Sequence, residues 1–423
     1  MRLKCLDLPI PIIFFTSVLN SLGFGVLIPV IPLLLANPSS QYFMLPENFT
    51  LQQGYIIFGF LVASFSLMQF IATPILGQFS DKFGRKKILA ISLAGTCISY
   101  ILFAVGIIIK NIPLLFISRA FDGITGGNIS VSQAVVADVT TPENRSKNFG
   151  LIGSAFGLGF ILGPFLGGIL SENRLVSWFS AATPFWFAAI LSFINVMLVI
   201  TCLAETFKVD KFKKVIWGQS IKNIIKAYNM KKLRIPFITV FLFQSGFTFF
   251  TTFFSVFLIT KFSFTQSNTG NFFAYLGIWL VLTQAFIIRL AANRFSEYKI
   301  LRFSLIFMGI FAIMYLVPSV WWGLLIVAPF FAISNGLTQA NITGLISRSV
   351  GPQVQGEVLG INASIQALAN SIPAMLSGFI AASLTPSSPV IVAAAVLILS
   401  GIIFITFYRP PLPAVEAKSP TIP

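Results

Sequence analysis

Two ionisable side chains stand inside a run of the chain that is otherwise apolar. Arg119 and Asp122 fall within Arg119-Ala120-Phe121-Asp122-Gly123, and a spacing of three puts both on one face of a helix, where they can pair. A charge within a membrane helix costs about 2.5 to 3.5 kcal/mol on insertion scales, so it faces a cavity or a partner. Asp122 is the only acid well inside any apolar run, and the chain contains no histidine. The chemistry open to the pair is therefore binding and release of a proton, with Asp122 as carrier and Arg119 setting its affinity. The alternative is a pair that neutralises itself and braces the bundle. Burial raises a carboxyl pKa while a neighbouring cation lowers it, and the sequence leaves that balance open. The absence of histidine removes a His-based triad, a His-ligated metal site and a His proton relay. No cofactor or metal ligand set is expected.

A second group of polar side chains recurs along the apolar runs: Asn20; Asn128 and Gln133; Gln244 and Thr248; Asn335 and Gln339; Asn362 and Gln366. Many of the 47 phenylalanines surround them, with Phe241, Phe243, Phe247, Phe249 and Phe250 close to Gln244. Aromatic walls carrying a few amides suit a lipophilic, weakly polar ligand. A codon bias that enriches Phe, Ile, Asn and Lys would produce a similar composition.

The elements that hold these residues are membrane helices. Hydrophobic residues make up 56% of the chain, charged residues 9%, and the mean hydropathy is +0.90, which excludes a water-soluble globular protein of this length. Apolar runs of roughly 20 residues recur from end to end. They place spans near 8–35, 54–77, 88–109, 112–137, 148–170 and 180–203, then near 234–258, 269–290, 300–317, 321–346, 357–383 and 387–408. The expected fold class is an all-α membrane protein with twelve transmembrane helices in two pseudo-symmetric six-helix bundles. The divisions are 1–204 for the first bundle, 205–233 for a linker, 234–410 for the second bundle and 411–423 for a tail.

The net charge of +16 would suit a nucleic-acid partner only on a soluble basic domain, and none fits here. With a cytoplasmic N-terminus, the inner loops collect Arg2, Lys4, Lys82 to Lys87, Arg145, Lys147, nine basic residues from Lys208 to Arg234, then Arg294 and Lys299, against Lys110, Arg174 and Lys261 outside. That asymmetry predicts both termini in the cytoplasm. The linker alternates lysines with Ile216, Ile221, Ile224, Ile225 and Tyr228 at helical spacing, as a helix on the membrane surface would; a solvated linker is the alternative. Cys5, Cys97 and Cys202 lie in or beside spans and suggest no disulfide framework. An internal repeat is visible: a shift of 212 lays Asp81-Lys82-Phe83 over Asn293-Arg294-Phe295, and a shift of 210 pairs Gly126 with Gly336, Gly150 with Gly360, Gly168 with Gly378 and Pro142 with Pro352. Duplicated halves can enclose a midplane site and rock about it.

Two further blocks carry a resemblance. Gly77-Gln78-Phe79-Ser80-Asp81-Lys82-Phe83-Gly84-Arg85-Lys86-Lys87 has a glycine that lets helices approach and an acid that can accept from a basic group or a helix N-terminus. Gly153 to Gly168 crowds Gly153, Gly157, Gly163, Gly167 and Gly168 around Pro164, removing side chains so that helices touch and slide. The first block resembles the G-x-L-x-D-x-x-G-R-[KR]-[KR] signature of major facilitator transporters, Arg119 to Gly123 resembles their R-x-x-x-G motif, and the glycine run is similar to the G-x-x-x-G-P-x-x-G-G element of exporters. With Leu22 to Pro32 and Ala137-Asp138-Val139-Thr140, they resemble the tetracycline/proton antiporter branch of twelve-helix drug exporters, chiefly over residues 15 to 175.

The resemblance implies a gating latch at Gly77, Asp81, Gly84 and Arg85, proton coupling through Arg119, and antiporter-type packing at the glycines. It also implies a central cavity lined by spans one, four, seven and ten. The expected function is proton-coupled efflux of a lipophilic or amphipathic small molecule by a monomer in a bacterial inner membrane. The alternative is an importer of a nutrient, metabolite or metal chelate. Two positions depart from that branch: Asn20-Ser21 stands where it carries an acid, and an amide cannot exchange a proton at physiological pH; the histidine of some tetracycline exporters is missing. A membrane enzyme or receptor would need a reactive constellation or a soluble sensing domain, and neither is present.

Overall fold

The computed structural model describes residues 9–141, 145–207 and 215–409, without the side chains of 145–147, 149, 352, 353, 355 and 356. Expectations on Arg2, Lys4, Cys5, Pro142, the basic residues from Lys208 to Lys214, the side chains of Arg145, Lys147 and Pro352, and the tail from 411 lie outside the described residues.

Leading the first bundle is α1 (Pro9–Leu35), followed by α2 (Leu51–Phe83), α3 (Arg85–Ile108), α4 (Ile112–Gly126) with its continuation α5 (Ile129–Val139), α6 (Arg145–Leu170) and α7 (Thr183–Cys202). The linker contains α8 (Gln219–Asn229). The second bundle comprises α9 (Arg234–Phe262), α10 (Gln266–Leu282), which runs through a π-helical turn at Thr283–Ile287 into α11 (Ile288–Ala292), then α12 (Glu297–Met314), α13 (Trp321–Arg348), α14 (Pro352–Ser383) and α15 (Ser388–Phe407). Helix starts follow local capping chemistry. Thr50 and Gln53 form a reciprocal capping box at α2, Asn111 accepts from Leu114 N ahead of α4, and Thr265 accepts from Asn268 N ahead of α10.

Ten helices among the described residues are long and apolar enough to cross a membrane. The other two expected spans fall short for visible reasons. Their counterparts are α4 with α5, which the break at Gly127-Asn128 divides, and α12, whose first turns carry Glu297, Lys299 and Arg302.

The two bundles repeat one packing scheme. In the first, α1 packs on α6 and α7, α2 on α4, and α3 on α4 and α7; in the second, α9 packs on α14 and α15, α10 on α13, and α12 on α13 and α15. Counting α4–α5 and α10–α11 as one span each, every pair in one half has its equivalent in the other. The seams between halves, α2 on α14 and α6 on α10, are equivalent as well. Cys97 is a free thiol and Cys202 is disulfide-bonded, a bond that spacing along the sequence did not signal.

Both seams are tight at the end of the molecule away from the chain termini and open towards the terminal end. On α6, a methyl group added at Gly168 would stand 3.1 Å from Gly270 Cα, and at Gly157 3.3 Å from Val281, whereas Gly153, one turn further along that face, meets nothing within 4 Å. Gly59 of α2 would meet Gly378 of α14 at 3.0 Å, while Gly77 meets only Ser130 and Gly360 meets nothing. Helix α8 lies at the terminal end of the second seam. Ser220 donates to Phe70 O of α2 (2.6 Å), and Asn223 Nδ2 donates to Ser364 Oγ of α14 (3.0 Å). Lys226 pairs with Glu357. Small and polar residues therefore face the bundles, and Trp217, Ile221, Ile225 and Tyr228 are exposed.

Candidate transport site

Arg119 and Asp122 do pair: the guanidinium Nη1 stands 2.8 Å from Asp122 Oδ2, with 3% and 5% of the two residues exposed. Arg119 also lies over the Phe65 ring of α2, 4.4 Å from its centroid. Gly123 lets α2 this close, because its missing side chain points at Phe65 O and Met68. On α3, Thr96 shares a 2.9 Å hydrogen bond with Thr125 of α4, and the Tyr100 ring edge fills the space above Gly23 of α1. The ion pair is thus held among four helices of one bundle. Arg119 Nε has no hydrogen-bond partner, a buried donor left over for a group that arrives in another state.

The amides divide into three sets. Asn20 donates to Asn128 Oδ1 at 2.7 Å, and Asn128 is fully buried at the α4–α5 break, so these two tie α1 to α5. Gln244 and Thr248 both donate to Asn370 Oδ1 at 2.9 Å, tying α9 to α14. Asn370 escaped the sequence reading, since nothing in its spacing distinguishes it from other polar residues of α14. Asn335, 9% exposed, faces a cleft of about 270 Å³ walled by Phe160, Phe247, Phe250, Phe273 and Phe331. Asn362 is buried with Oδ1 unpaired. Gln133 and Gln339 are partly exposed and stand outside these clusters.

The loop between α2 and α3 forms a compact charge network. Gly84 turns the chain at φ +100°, a conformation that L side chains rarely adopt. Arg85, 7% exposed, reaches Asp81 (2.5 Å), Asp138 at the end of α5 (3.1 Å) and Ser80 Oγ (2.6 Å), and stacks on Phe207. Glu205, just past α7, accepts from Arg85 N (2.8 Å) and Lys86 N (3.2 Å), capping α3 with a carboxylate where the helix dipole favours one. The sequence pointed to Asp81 and Arg85 but not to Glu205 and Asp138 as their partners, which lie more than 50 residues away. In the glycine run, Gly163 and Gly167 pack on Gly25 and Val26 of α1, and Gly168 packs on α10. Pro164 touches both neighbours, with Cδ at Gly25 and its carbonyl at Gly270.

A duplicated bundle of membrane helices, with buried charge in one half and an aromatic cleft at the boundary, is the architecture of a membrane transporter. The chain belongs to the Major Facilitator Superfamily, whose model matches residues 13–374. It is accordingly a multi-pass membrane transporter and not an enzyme. It is 31% identical over 373 residues to the class H tetracycline resistance protein of Pasteurella multocida, covering 87% of this chain and 88% of that one. It is 29% identical over 365 residues to multidrug resistance protein 2 of Bacillus subtilis, covering 85% of each. These relatives bear out the tetracycline-resistance-like branch. In fold it matches a D-xylose-proton symporter with a TM-score of 0.75 at 15% identity, covering 95% of this chain and 97% of that one.

Proposed function

We propose that this transporter exports a lipophilic or amphipathic small molecule in exchange for protons, from a bacterial inner membrane with both termini in the cytoplasm. Residues 1–204 and 234–410 are the two rocking units, 205–233 joins them and 411–423 is a tail. A single chain carries both halves of the site, so a monomer suffices. The observation that carries the reading is the α6 seam. Its glycines approach α1 and α10 closely at one end and meet empty space at the other, which suits a helix that closes the site towards the outside while the cytoplasmic side stays open. Relatives named for tetracycline and multidrug resistance support export.

In this reading Asp122 exchanges the proton and Arg119 holds it ionised in one state. The Asp81–Arg85 network biases which end is open. Transport in proteoliposomes with an imposed pH gradient, assayed on a panel of amphipathic compounds, tests the direction. Accumulation in vesicles with exposed cytoplasmic faces and an acidic lumen is expected. Gradient-driven movement only the other way would overturn export in favour of uptake.

A further inference from the structure

We infer that the phenylalanine-walled cleft between α6, α9, α10 and α13 is a binding site for a planar, uncharged aromatic group bearing one hydrogen-bonding function, with Asn335 as the residue that reads that function. This rests on the transporter reading and names the class of molecule the site selects. The cleft encloses about 270 Å³, enough for a fused two- or three-ring group. Phe250 and Phe331 stand 4.4 Å apart, and both back onto the fully buried Tyr315, so this wall is a packed cluster that resists collapse into the space. Phe160 reaches Phe247 and Phe273 across the seam, each at 6.2 Å between ring centroids, within the range at which aromatic faces and edges attract. The site is thus closed by one ring from the first bundle and the rest from the second.

Asn335 is the polar side chain of the lining. It is 9% exposed, and no hydrogen bond engages its amide among the described residues. An amide buried to that degree and left unpaired costs free energy unless a ligand group or water meets it. No charged side chain lines the cleft, and the charged pair deep in the spans, Arg119 with Asp122, is closed on itself in the other bundle. A cation here gains the attraction of ring faces but loses its hydration with no counter-charge, and the loss is the larger effect. An anion has neither compensation. The cleft therefore selects by the absence of charge.

The test is equilibrium binding to the full chain in lipid nanodiscs, with empty discs as blank and no gradient applied. The probes are acridone, planar and uncharged with one carbonyl, and 10-methylacridinium, its near-isosteric cation. Acridone is expected to bind saturably and at least about tenfold more tightly than the cation. Asn335→Leu should weaken acridone binding by about three- to tenfold, the loss of one hydrogen bond. Asn335→Asp supplies a carboxylate and should shift the preference towards 10-methylacridinium, an effect that loss of fold cannot mimic. Equal or tighter binding of the cation by the unaltered chain, no saturable binding of acridone, or an unchanged preference in Asn335→Asp would overturn the assignment. Because binding is read without transport, a chain that binds acridone but moves substrate inward would sink the export reading and leave the site standing.

Discussion

Asp122 and Arg119 were legible because both lie on one helix, where a spacing of three fixes their geometry before any tertiary contact is known. Asp122→Asn is expected to abolish pH-driven accumulation while leaving facilitated exchange measurable, and Arg119→Lys to retain part of the activity, since lysine keeps the charge but loses the planar fork over Phe65. Accumulation with an unchanged pH profile in Asp122→Asn would leave the pair as a structural brace. The partners of Arg85 were not legible. Asp138 and Glu205 arrive from the ends of α5 and α7, and sequence distance carries no record of that meeting. Their convergence makes Gly84 a sharp probe. A side chain there meets both a strained backbone, costing about 1 to 3 kcal/mol, and the Glu205 carboxylate. Gly84→Ala should therefore lower the midpoint of thermal unfolding in detergent. Asp81→Asn should slow turnover more than it weakens equilibrium substrate affinity, because its partner Arg85 lies in the loop network, away from the cleft; normal transport by a well-expressed variant would remove the gating role.

Hydropathy located the twelve spans to within a few residues at most ends, since each must bury its backbone polar groups in an unbroken helix. The interruptions were harder to see. The α4–α5 break rests on Gly127, whose backbone packs on Ala72 and Thr73 of α2, and on Gln69 donating to Gly126 O (3.1 Å); both are tertiary causes. The π-helical turn after α10 sits where Thr283 packs against Gly336, again a contact between helices. For α8 the sequence gave periodicity but not orientation: the face turned to the bundles is Ser220, Asn223 and Ala227, and the apolar face points away. If α8 props the α2–α14 seam open, cysteines placed at Gly77 and Gly360 should cross-link slowly in the otherwise unaltered chain. Adding Ser220→Ala and Asn223→Ala should speed that reaction several-fold by removing the two hydrogen bonds. An unchanged rate would mean that α8 is a passenger.

Across the whole molecule, the repeat seen as glycine pairs at a shift of 210 residues reappears as equivalent helix packings in the two halves. Gly168 and Gly378, paired by that shift, occupy corresponding places in the two seams, which is why so degenerate a repeat still marked the fold. The bundles have diverged in their interiors, the first carrying the ion pair and the second most of the packed rings. Orientation in the membrane is tested by reporter fusions after Pro46 and Tyr298. The first is expected outside and the second in the cytoplasm, and either result reversed would invert the assignment of the open end. Helix α8 joins this architecture to its surroundings. Its outward Trp217, Ile221, Ile225 and Tyr228, flanked by Lys222 and Lys226, suit burial at the boundary of headgroups and acyl chains, while its inner face stands between two helices that must approach for the site to reopen outward. Closing that seam would then push α8 sideways through the headgroup layer, so lateral pressure and lipid shape become part of the work of each transport cycle, and the same chain would turn over at different rates in bilayers of different spontaneous curvature.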